Sequence, residues 1–184
     1  MAVQVTRRPF TVEEYHRLAQ VGVVGEDERV ELIEGDIIRM PLIGSRHAAC
    51  VDRLNHLFSR ISRDVIVRVQ GPLRLGERSE PQPDVAVLKW HQDFYAEEHP
   101  GANDVVLVVE VSETSATYDR EMKVSLYGRH GVPEVWVVDL EREVIEVYRE
   151  PSAAGYAEVK WARRGDGVPS LALGRKIAVD DVLG

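Results

Sequence analysis

The sequence predicts an α/β fold in which a mixed central β-sheet is flanked by helices. Short apolar segments typical of buried strands, such as PDVAVLK and DVVLVVEV, occur together with segments whose apolar residues recur at helical spacing. Most of the strands precede one central crossover helix, which favours a layered sheet over a barrel or a sandwich. A chain of 184 residues without repeats or linkers is expected to form one domain over residues 1–184.

The N-terminal part of the chain predicts two helices and a hairpin. Thr11 followed by Glu14 has the capping-box spacing of a helix start. The segment RVELIEGDIIRM predicts two short strands around a turn at Glu34 and Gly35. Residues 45 to 61 predict an amphipathic helix, because apolar side chains recur there at helical spacing: Val51, Leu54, Leu57, Phe58 and Ile61.

The remainder of the chain predicts most of the sheet. DVIVRVQGPLRL alternates as a half-buried strand does, whereas PDVAVLK and DVVLVVEV have the apolar character of more fully buried strands. A helix is expected over residues 118 to 130, with Gly131 and Pro133 ending it. PEVWVVDL and EVIEVYRE predict two further strands, and weaker strands are expected near residues 156 to 162 and 177 to 179.

Composition and charge exclude several classes of protein. The net charge of −8 argues against a protein that coats nucleic acid nonspecifically, but a metal-dependent nuclease also carries extra carboxylates in its cleft. Cys50 is the single cysteine, so an internal disulfide and a thiolate metal cluster are excluded. The apolar runs are far shorter than the roughly 20 residues of a membrane helix, and MAVQVTRRPF lacks the apolar core of a secretion signal. We therefore expect a cytoplasmic protein.

Two carboxylates stand at the ends of predicted buried strands. Asp84 opens one strand directly after Pro83, and Glu110 follows five apolar residues near the end of another. Burying an unpaired carboxylate costs several kcal/mol, so Glu110 is expected to have a bound partner. If the two strands pair, both side chains converge at one edge of the sheet. Mg²⁺ prefers such oxygen-rich sites and typically takes one or two protein carboxylates, with water and phosphate completing its shell.

A lysine on the following helix completes the candidate site. Asp119, Lys123 and Tyr127 are spaced four residues apart and so lie on one helix face. An ammonium beside the cation could position the attacking water and offset negative charge in phosphodiester hydrolysis.

The segments QPDVAVL and VVEVSETSATYDREMKVSLYGRHGVPEVWVVD, with VELIEGDIIRM and His47 upstream, resemble the Uma-two family of restriction endonucleases, assigned to the PD-(D/E)XK nuclease superfamily. The resemblance runs from about residue 10 to residue 148. It implies a restriction-endonuclease-like core in which Asp84 is the first acidic ligand and Glu110 the second. It also implies that Val111 lends its backbone carbonyl to the metal.

The sequence departs from the superfamily pattern at one position. The usual lysine lies two residues after the second acid, where this chain has Ser112. The family resemblance implies that Lys123 takes over that role, and that Glu31 is similar to the upstream acid that supplements the metal site.

Each candidate residue also has a simpler interpretation. Asp84 could be a turn residue after proline, Glu110 an edge residue reaching solvent, Lys123 a solvated helix residue and Glu31 a water-facing strand residue. His47 could contact phosphate and Gln70 could touch the site, but a capping or surface histidine and a solvent-facing strand end are the expected roles. Tyr127 is expected to be a core ring with a hydrogen-bonded hydroxyl, and Trp136 a core or interface residue. The histidines show no HExxH or HxH spacing, and phosphate-binding glycine loops and a GxSxG turn are absent.

The sequence thus predicts a metal-dependent endonuclease that hydrolyses phosphodiester bonds in DNA. Mg²⁺ or Mn²⁺ would be bound by Asp84 and Glu110, with Lys123 and Glu31 in supporting roles. The alternative is a nuclease fold that has lost cleavage and serves as a nucleic-acid-binding or assembly module, which Ser112 and the acidic net charge favour. A purely structural protein is harder to reconcile with both acids. By analogy with nucleases that cut two strands with two sites, a homodimer is expected.

Overall fold

A six-stranded sheet, in the order β3-β4-β5-β6-β7-β8, forms the centre of the fold. The computed structural model describes residues 7–25, 27–60, 64–113, 119–171 and 173–184. Their elements, in chain order, are α1 (Val12–Gln20), β1 (Val30–Ile33), β2 (Asp36–Arg39), α2 (Ser45–Ser59), β3 (Val65–Val69), β4 (Val85–Lys89), a 3₁₀ turn (Ala102–Asp104), β5 (Val105–Ser112), a π-helical turn (Asp119–Val124), α3 (Ser125–Arg129), β6 (Glu134–Asp139), β7 (Val144–Ser152), β8 (Gly155–Arg163), β9 (Gly167–Ser170), β10 (Arg175–Ala178) and α4 (Val179–Leu183).

The central sheet is mixed, as the sequence predicts. Strands β5 and β6 run parallel, whereas every other neighbouring pair in the sheet is antiparallel. The chain between β5 and β6 carries the π-helical turn and α3, since a parallel connection requires a crossover. This crossover sets the helix beside the carboxyl end of β5.

Apolar side chains bury both faces of the sheet. On one face, Val109 and Trp136 pack in a cluster with Phe58 of α2 and with α4, and the Phe58 and Trp136 rings meet edge to face at 5.9 Å. On the other face, Val108 belongs to a cluster that includes Tyr127 of α3. Burial on both sides explains why the central strands are almost continuously apolar.

The hairpin β1–β2 and the start of α1 follow the sequence predictions closely. Glu34 and Gly35 both have positive φ, 50° and 88°, the left-handed turn conformation that joins two strands of a tight hairpin. Gly35 is also required sterically, because an added Cβ would lie 2.3 Å from the Cβ of Pro9. Thr11 and Glu14 form the predicted reciprocal capping box at the start of α1.

The structure differs from the sequence predictions at strand β3, at the crossover helix and at strand β9. Strand β3 ends at Val69 because Gln70 turns the chain with φ 49°, and the following Gly-Pro segment does not continue the strand. The crossover helix is divided into a π-helical turn and α3. Residue 118, the predicted start of this helix, and residue 61, the predicted end of α2, lie outside the described residues. Strand β9, which the sequence does not predict, pairs with β10 in a separate two-stranded sheet.

In the described ranges, no helix is long and apolar enough to cross a membrane.

Candidate active site

Glu110 and Asp84 face each other across the β4–β5 pair. Val85 pairs with Val109 in the antiparallel register, so Asp84, one residue before Val85, stands opposite Glu110. Glu110 is only 2% exposed, and Asp84 is mostly buried. The apolar run of β5 thus carries a carboxylate into the protein, at a position where β5 pairs with Val137 of the parallel strand β6.

Lys123 places its ammonium between two buried carboxylates. Its Nζ lies 3.1 Å from Glu110 Oε1 and 3.2 Å from Glu31 Oε2, and all three side chains are at most 6% exposed. The Tyr127 hydroxyl donates a hydrogen bond to the same Glu110 oxygen at 2.6 Å, and the Gln82 N–H donates to Glu31 Oε2 at 3.0 Å. The crossover helix therefore presents Lys123 and Tyr127, four residues apart, to the end of β5.

Asp84 is held by a separate set of donors. Its Oδ2 accepts a hydrogen bond from the Val111 N–H at 2.8 Å and lies 3.0 Å from His47 Nε2, while its Oδ1 accepts from the Gln70 side-chain amide at 3.3 Å. Burial raises the pKa of Asp84, but the hydrogen bond and charge of His47, the Val111 N–H and the charge of Lys123 outweigh it and leave the pKa below its ordinary value.

His47 carries the complementary shift. Its hydrogen bond to Asp84 raises the pKa of the imidazole and outweighs the opposing effect of burial. Two expectations from the sequence are therefore wrong: His47 is not merely a capping or surface residue, and Gln70 does not simply face solvent, since both contact Asp84. His47 Nδ1 is buried and has no hydrogen-bond partner among the described residues.

A second set of ion pairs anchors the same helical turn. Arg120 donates hydrogen bonds to Asp139 Oδ2 at 2.6 Å and to Glu146 Oε2 at 2.8 Å. Asp139 and Glu146 are 3% and 2% exposed, and the Tyr148 hydroxyl donates to Glu146 as well. The turn Asp119–Val124 is thus attached by Arg120 to β6 and β7, and by Lys123 to β1 and β5.

These residues open onto a cavity of about 270 Å³. Its floor contains Glu31, Asp84, Glu110, Lys123 and His47. One wall is formed by residues 40–44, which connect β2 to α2, together with Arg29 and Arg39 of the adjoining hairpin. A small polar ligand could therefore reach both carboxylates.

The oxygen donors at this floor suit a hard divalent cation with an open coordination shell. Asp84 and Glu110 come from opposed strands, and Val111, whose N–H donates to Asp84, also lines the cavity. Among the described residues, no group of three or more His, Cys, Asp or Glu side chains is arranged to hold a metal. A cation held by Asp84 and Glu110 would have to complete its coordination shell with water and substrate phosphate, as Mg²⁺ usually does.

Most residues that the sequence singles out occupy this region. Glu31, Asp84, Glu110, Val111 and Lys123 all line the cavity. Ser112 is fully buried and pairs in register with Asp139. Tyr127 and Trp136 are both 0% exposed, as expected for core rings.

Sequence reasoning missed the contacts of His47 and Gln70 with Asp84. The pairing of Val69 with Val85 sets Gln70 opposite Asp84, a signal that appears only once the register of β3 and β4 is known.

Comparison with solved structures identifies the class to which this fold belongs. The crystal structure of a "putative nuclease belonging to DUF820" from Anabaena variabilis ATCC 29413 matches 95% of this chain and 98% of its own, with a TM-score of 0.71. At 23% sequence identity this likeness is one of fold, and it shows that the chain shares the α/β fold of that protein. Residues 12–180 match the Uma2 family, described as "Putative restriction endonuclease", and the chain belongs to that family. Family membership indicates a nuclease. No curated protein matches the chain.

Proposed function

We propose that this protein is a metal-dependent endonuclease that hydrolyses phosphodiester bonds in DNA. In this proposal Asp84, Glu110 and the Val111 carbonyl bind Mg²⁺ or Mn²⁺, Lys123 orients the attacking water, and Glu31 supports the cation. The observation that carries the proposal is the buried Lys123 ammonium, which lies 3.1 Å from Glu110 and 3.2 Å from Glu31 beside the cavity that Asp84 also lines.

The division of labour follows from the contacts. A divalent cation bound by the carboxylates would make hydroxide available near neutral pH and offset charge on the phosphate. Lys123 can hydrogen-bond the attacking water, which would release a proton to solvent as its oxygen bonds to phosphorus. The bond from phosphorus to the leaving oxygen would break, and that oxygen would take up a proton from solvent. Tyr127 and His47 fix the orientation of Glu110 and Asp84 through their hydrogen bonds. Preorganised charges of this kind act strongly because they do not reorganise during the reaction.

Cleavage assays test the proposal directly. Purified protein is incubated with plasmid, linear duplex and single-stranded DNA, with RNA counterparts, in Mg²⁺, Mn²⁺ or chelator. We expect cation-dependent cleavage of DNA that falls on the order of 100-fold or more in Asp84→Asn, Glu110→Gln and Lys123→Met. Lys160→Met is the matched control, because Lys160 is exposed and pairs with Glu158 on β8.

Two results would contradict the proposal. One is the absence of cleavage on every substrate together with no binding of Mg²⁺ or Mn²⁺ by calorimetry. The other is cleavage that persists in Asp84→Asn.

Sedimentation of the wild-type protein tests the proposed homodimer, and fractionation of cells tests the proposed cytoplasmic location.

A second candidate is a nuclease fold that binds nucleic acid or a partner without cleaving it. The arrangement at Lys123 favours it, because the ammonium already balances two carboxylates and could replace a cation instead of assisting one. Equal retention of DNA by wild type and Asp84→Ala, with no cleavage by either, would support this function. Metal-dependent cleavage lost on substitution would support the enzyme.

A further inference from the structure

The segment between β2 and α2, residues 40–44, carries an unusual exposed surface beside the candidate site; we call it the lip. Leu42 is 95% exposed, the highest value among the exposed large apolar residues that the structure describes, and Ile43 is 41% exposed. Both line the cavity whose floor holds the carboxylates. Two neighbouring apolar side chains stand in water at the mouth of the cavity, next to its carboxylate floor, where a bound ligand would contact them.

The lip is held in place at its N-terminal side. The Met40 N–H donates to the Arg29 carbonyl at 2.9 Å, continuing the β1–β2 ladder, and the Arg29 guanidinium donates to the Pro41 carbonyl at 2.9 Å. Pro41 has a restricted φ, which further limits the chain. Leu42 is therefore displayed by a braced segment that ends where α2 begins.

Two arginines beside the lip could contact the phosphates of a nucleic-acid strand. Arg29 and Arg39 line the same cavity, and the Arg39 side chain is 78% exposed and pairs with Glu28 at 3.0 Å. Glu113 lines the cavity as well, so a phosphate is expected on the arginine side of the mouth. Arginine side chains at the mouth suit phosphates, whereas leucine and isoleucine suit the flat faces of bases. Apolar side chains of this kind can insert between base steps and unstack them.

The position of the lip favours an unpaired form of the substrate. Leu42 and Ile43 line the mouth of the same cavity as the carboxylates. Contact between such a side chain and the face of a base requires the base to be unstacked from its neighbour, which costs least in a single strand or an unpaired segment.

We propose that the lip stacks against the base next to the scissile phosphate, so that the protein acts on single-stranded or locally unpaired nucleic acid. This inference rests on the proposed nuclease function. Leu42 makes the main base contact, Ile43 supports it, and Arg29 and Arg39 contact the flanking phosphates.

Binding without cleavage tests the lip separately from catalysis. In chelator, fluorescence anisotropy is measured with a single strand, a blunt duplex and a duplex that contains an unpaired bubble. We expect the single strand and the bubble to bind at least about 10-fold more tightly than the blunt duplex. Leu42→Ala removes most of the side chain that the bound strand would cover, so it should weaken single-strand binding by about 5- to 30-fold. Leu42→Phe should retain or strengthen it, and Leu171→Ala, which alters another exposed leucine, should leave it unchanged.

Stacking has its own readout. A 2-aminopurine placed in the bubble should change its fluorescence on binding wild type and should change less on binding Leu42→Ala. Blunt duplex bound as tightly as single strand, or Leu42→Ala equal to Leu171→Ala, would overturn the inference. A Leu42→Ala variant that alters sedimentation of the protein but not DNA binding would also overturn it, in favour of a second copy seated on the lip.

The outcomes separate this inference from the function on which it rests. Efficient duplex cleavage that is insensitive to Leu42→Ala would leave the nuclease standing and refute the lip. A Leu42-dependent preference for single strands without cleavage in Mg²⁺ or Mn²⁺ would refute the nuclease and leave the lip as a binding element.

Discussion

Replacing Lys123 with methionine should reveal how strongly the site depends on a cation. Methionine keeps an unbranched chain but removes the ammonium that lies 3.1 Å from Glu110 and 3.2 Å from Glu31. Removing one member of a buried ion pair typically costs about 3–5 kcal/mol, because a charge stays buried without that compensation. In chelator we therefore expect Lys123→Met to lower the free energy of unfolding by about 3–5 kcal/mol. For a chain of this size, that corresponds to a fall in Tm of roughly 6–20 °C.

The same variant tests whether the carboxylates bind a divalent cation. A ligand at a concentration about 100-fold above its Kd stabilises the folded state by about 2.7 kcal/mol. If Mg²⁺ or Mn²⁺ binds there, it should raise the Tm of Lys123→Met more than that of wild type, since the cation then balances charges that Lys123 balances in wild type. Urea unfolding and calorimetry in chelator and in each metal provide both measurements.

The control for this experiment is Lys160→Met on β8. Its ammonium is 63% exposed and pairs with Glu158, so its removal should cost at most about 1 kcal/mol. If Lys123→Met loses no more stability in chelator than Lys160→Met, the two buried carboxylates do not depend on the Lys123 ammonium. If Mg²⁺ and Mn²⁺ stabilise neither Lys123→Met nor wild type, the carboxylates are not the cation site.

Three further predictions concern His47, Cys50 and Arg120. Because the pKa of His47 is raised above its ordinary 6.5 and that of Asp84 is lowered below 3.8, their contact stabilises most between these values. The contact weakens as pH rises through the pKa of His47 or falls through the pKa of Asp84. In chelator, His47→Gln should therefore lose more unfolding free energy at about pH 5 than at about pH 8. Equal losses at the two pH values would contradict this prediction. Burial raises the pKa of the Cys50 thiol to about 12, so it should resist Ellman's reagent until the protein unfolds, and rapid labelling of folded protein would refute this. Arg120→Met should lower the free energy of unfolding by about 3–5 kcal/mol in urea titrations. Arg120→Lys should reduce kcat for DNA cleavage more than it raises KM. A change in KM alone would show that Arg120 does not position Lys123.

The parts of the fold that local pattern determines could be predicted from the sequence. The run of apolar residues before Glu110 has the character of a strand buried on both faces, and β5 is such a strand. The capping residues of α1 and the turn at Gly35 act within a few positions of the chain, and both occur where the sequence indicates. The helical spacing of Lys123 and Tyr127 predicts that they share one face, and in the structure both contact Glu110.

Features that depend on distant pairing could not be predicted in this way. The contacts of His47 and Gln70 with Asp84 span 37 and 14 residues and follow from the packing of α2 and the register of β3. Strand β9 contains Pro169, a poor strand former, and it exists because β10 returns to pair with it. The π-helical turn has no signature in the sequence. Its position follows from the ion pairs that two of its residues, Arg120 and Lys123, form with different strands of the sheet.

In the superfamily pattern that the sequence resembles, the lysine lies on the same strand as the second acid. The candidate lysine of this protein lies on a helical turn instead, so other contacts must hold it in place. A lysine at position 112 would extend from the same strand as Glu110, and the sheet itself would set the distance between them. Here position 112 is a fully buried serine, and the ammonium comes from a helical turn that the sheet does not fix. Arg120 attaches that turn to Asp139, which is the register partner of Ser112. The buried ion pairs of Arg120 and the hydrogen bond from Tyr127 to Glu110 therefore supply the rigidity that a strand lysine would receive from the backbone.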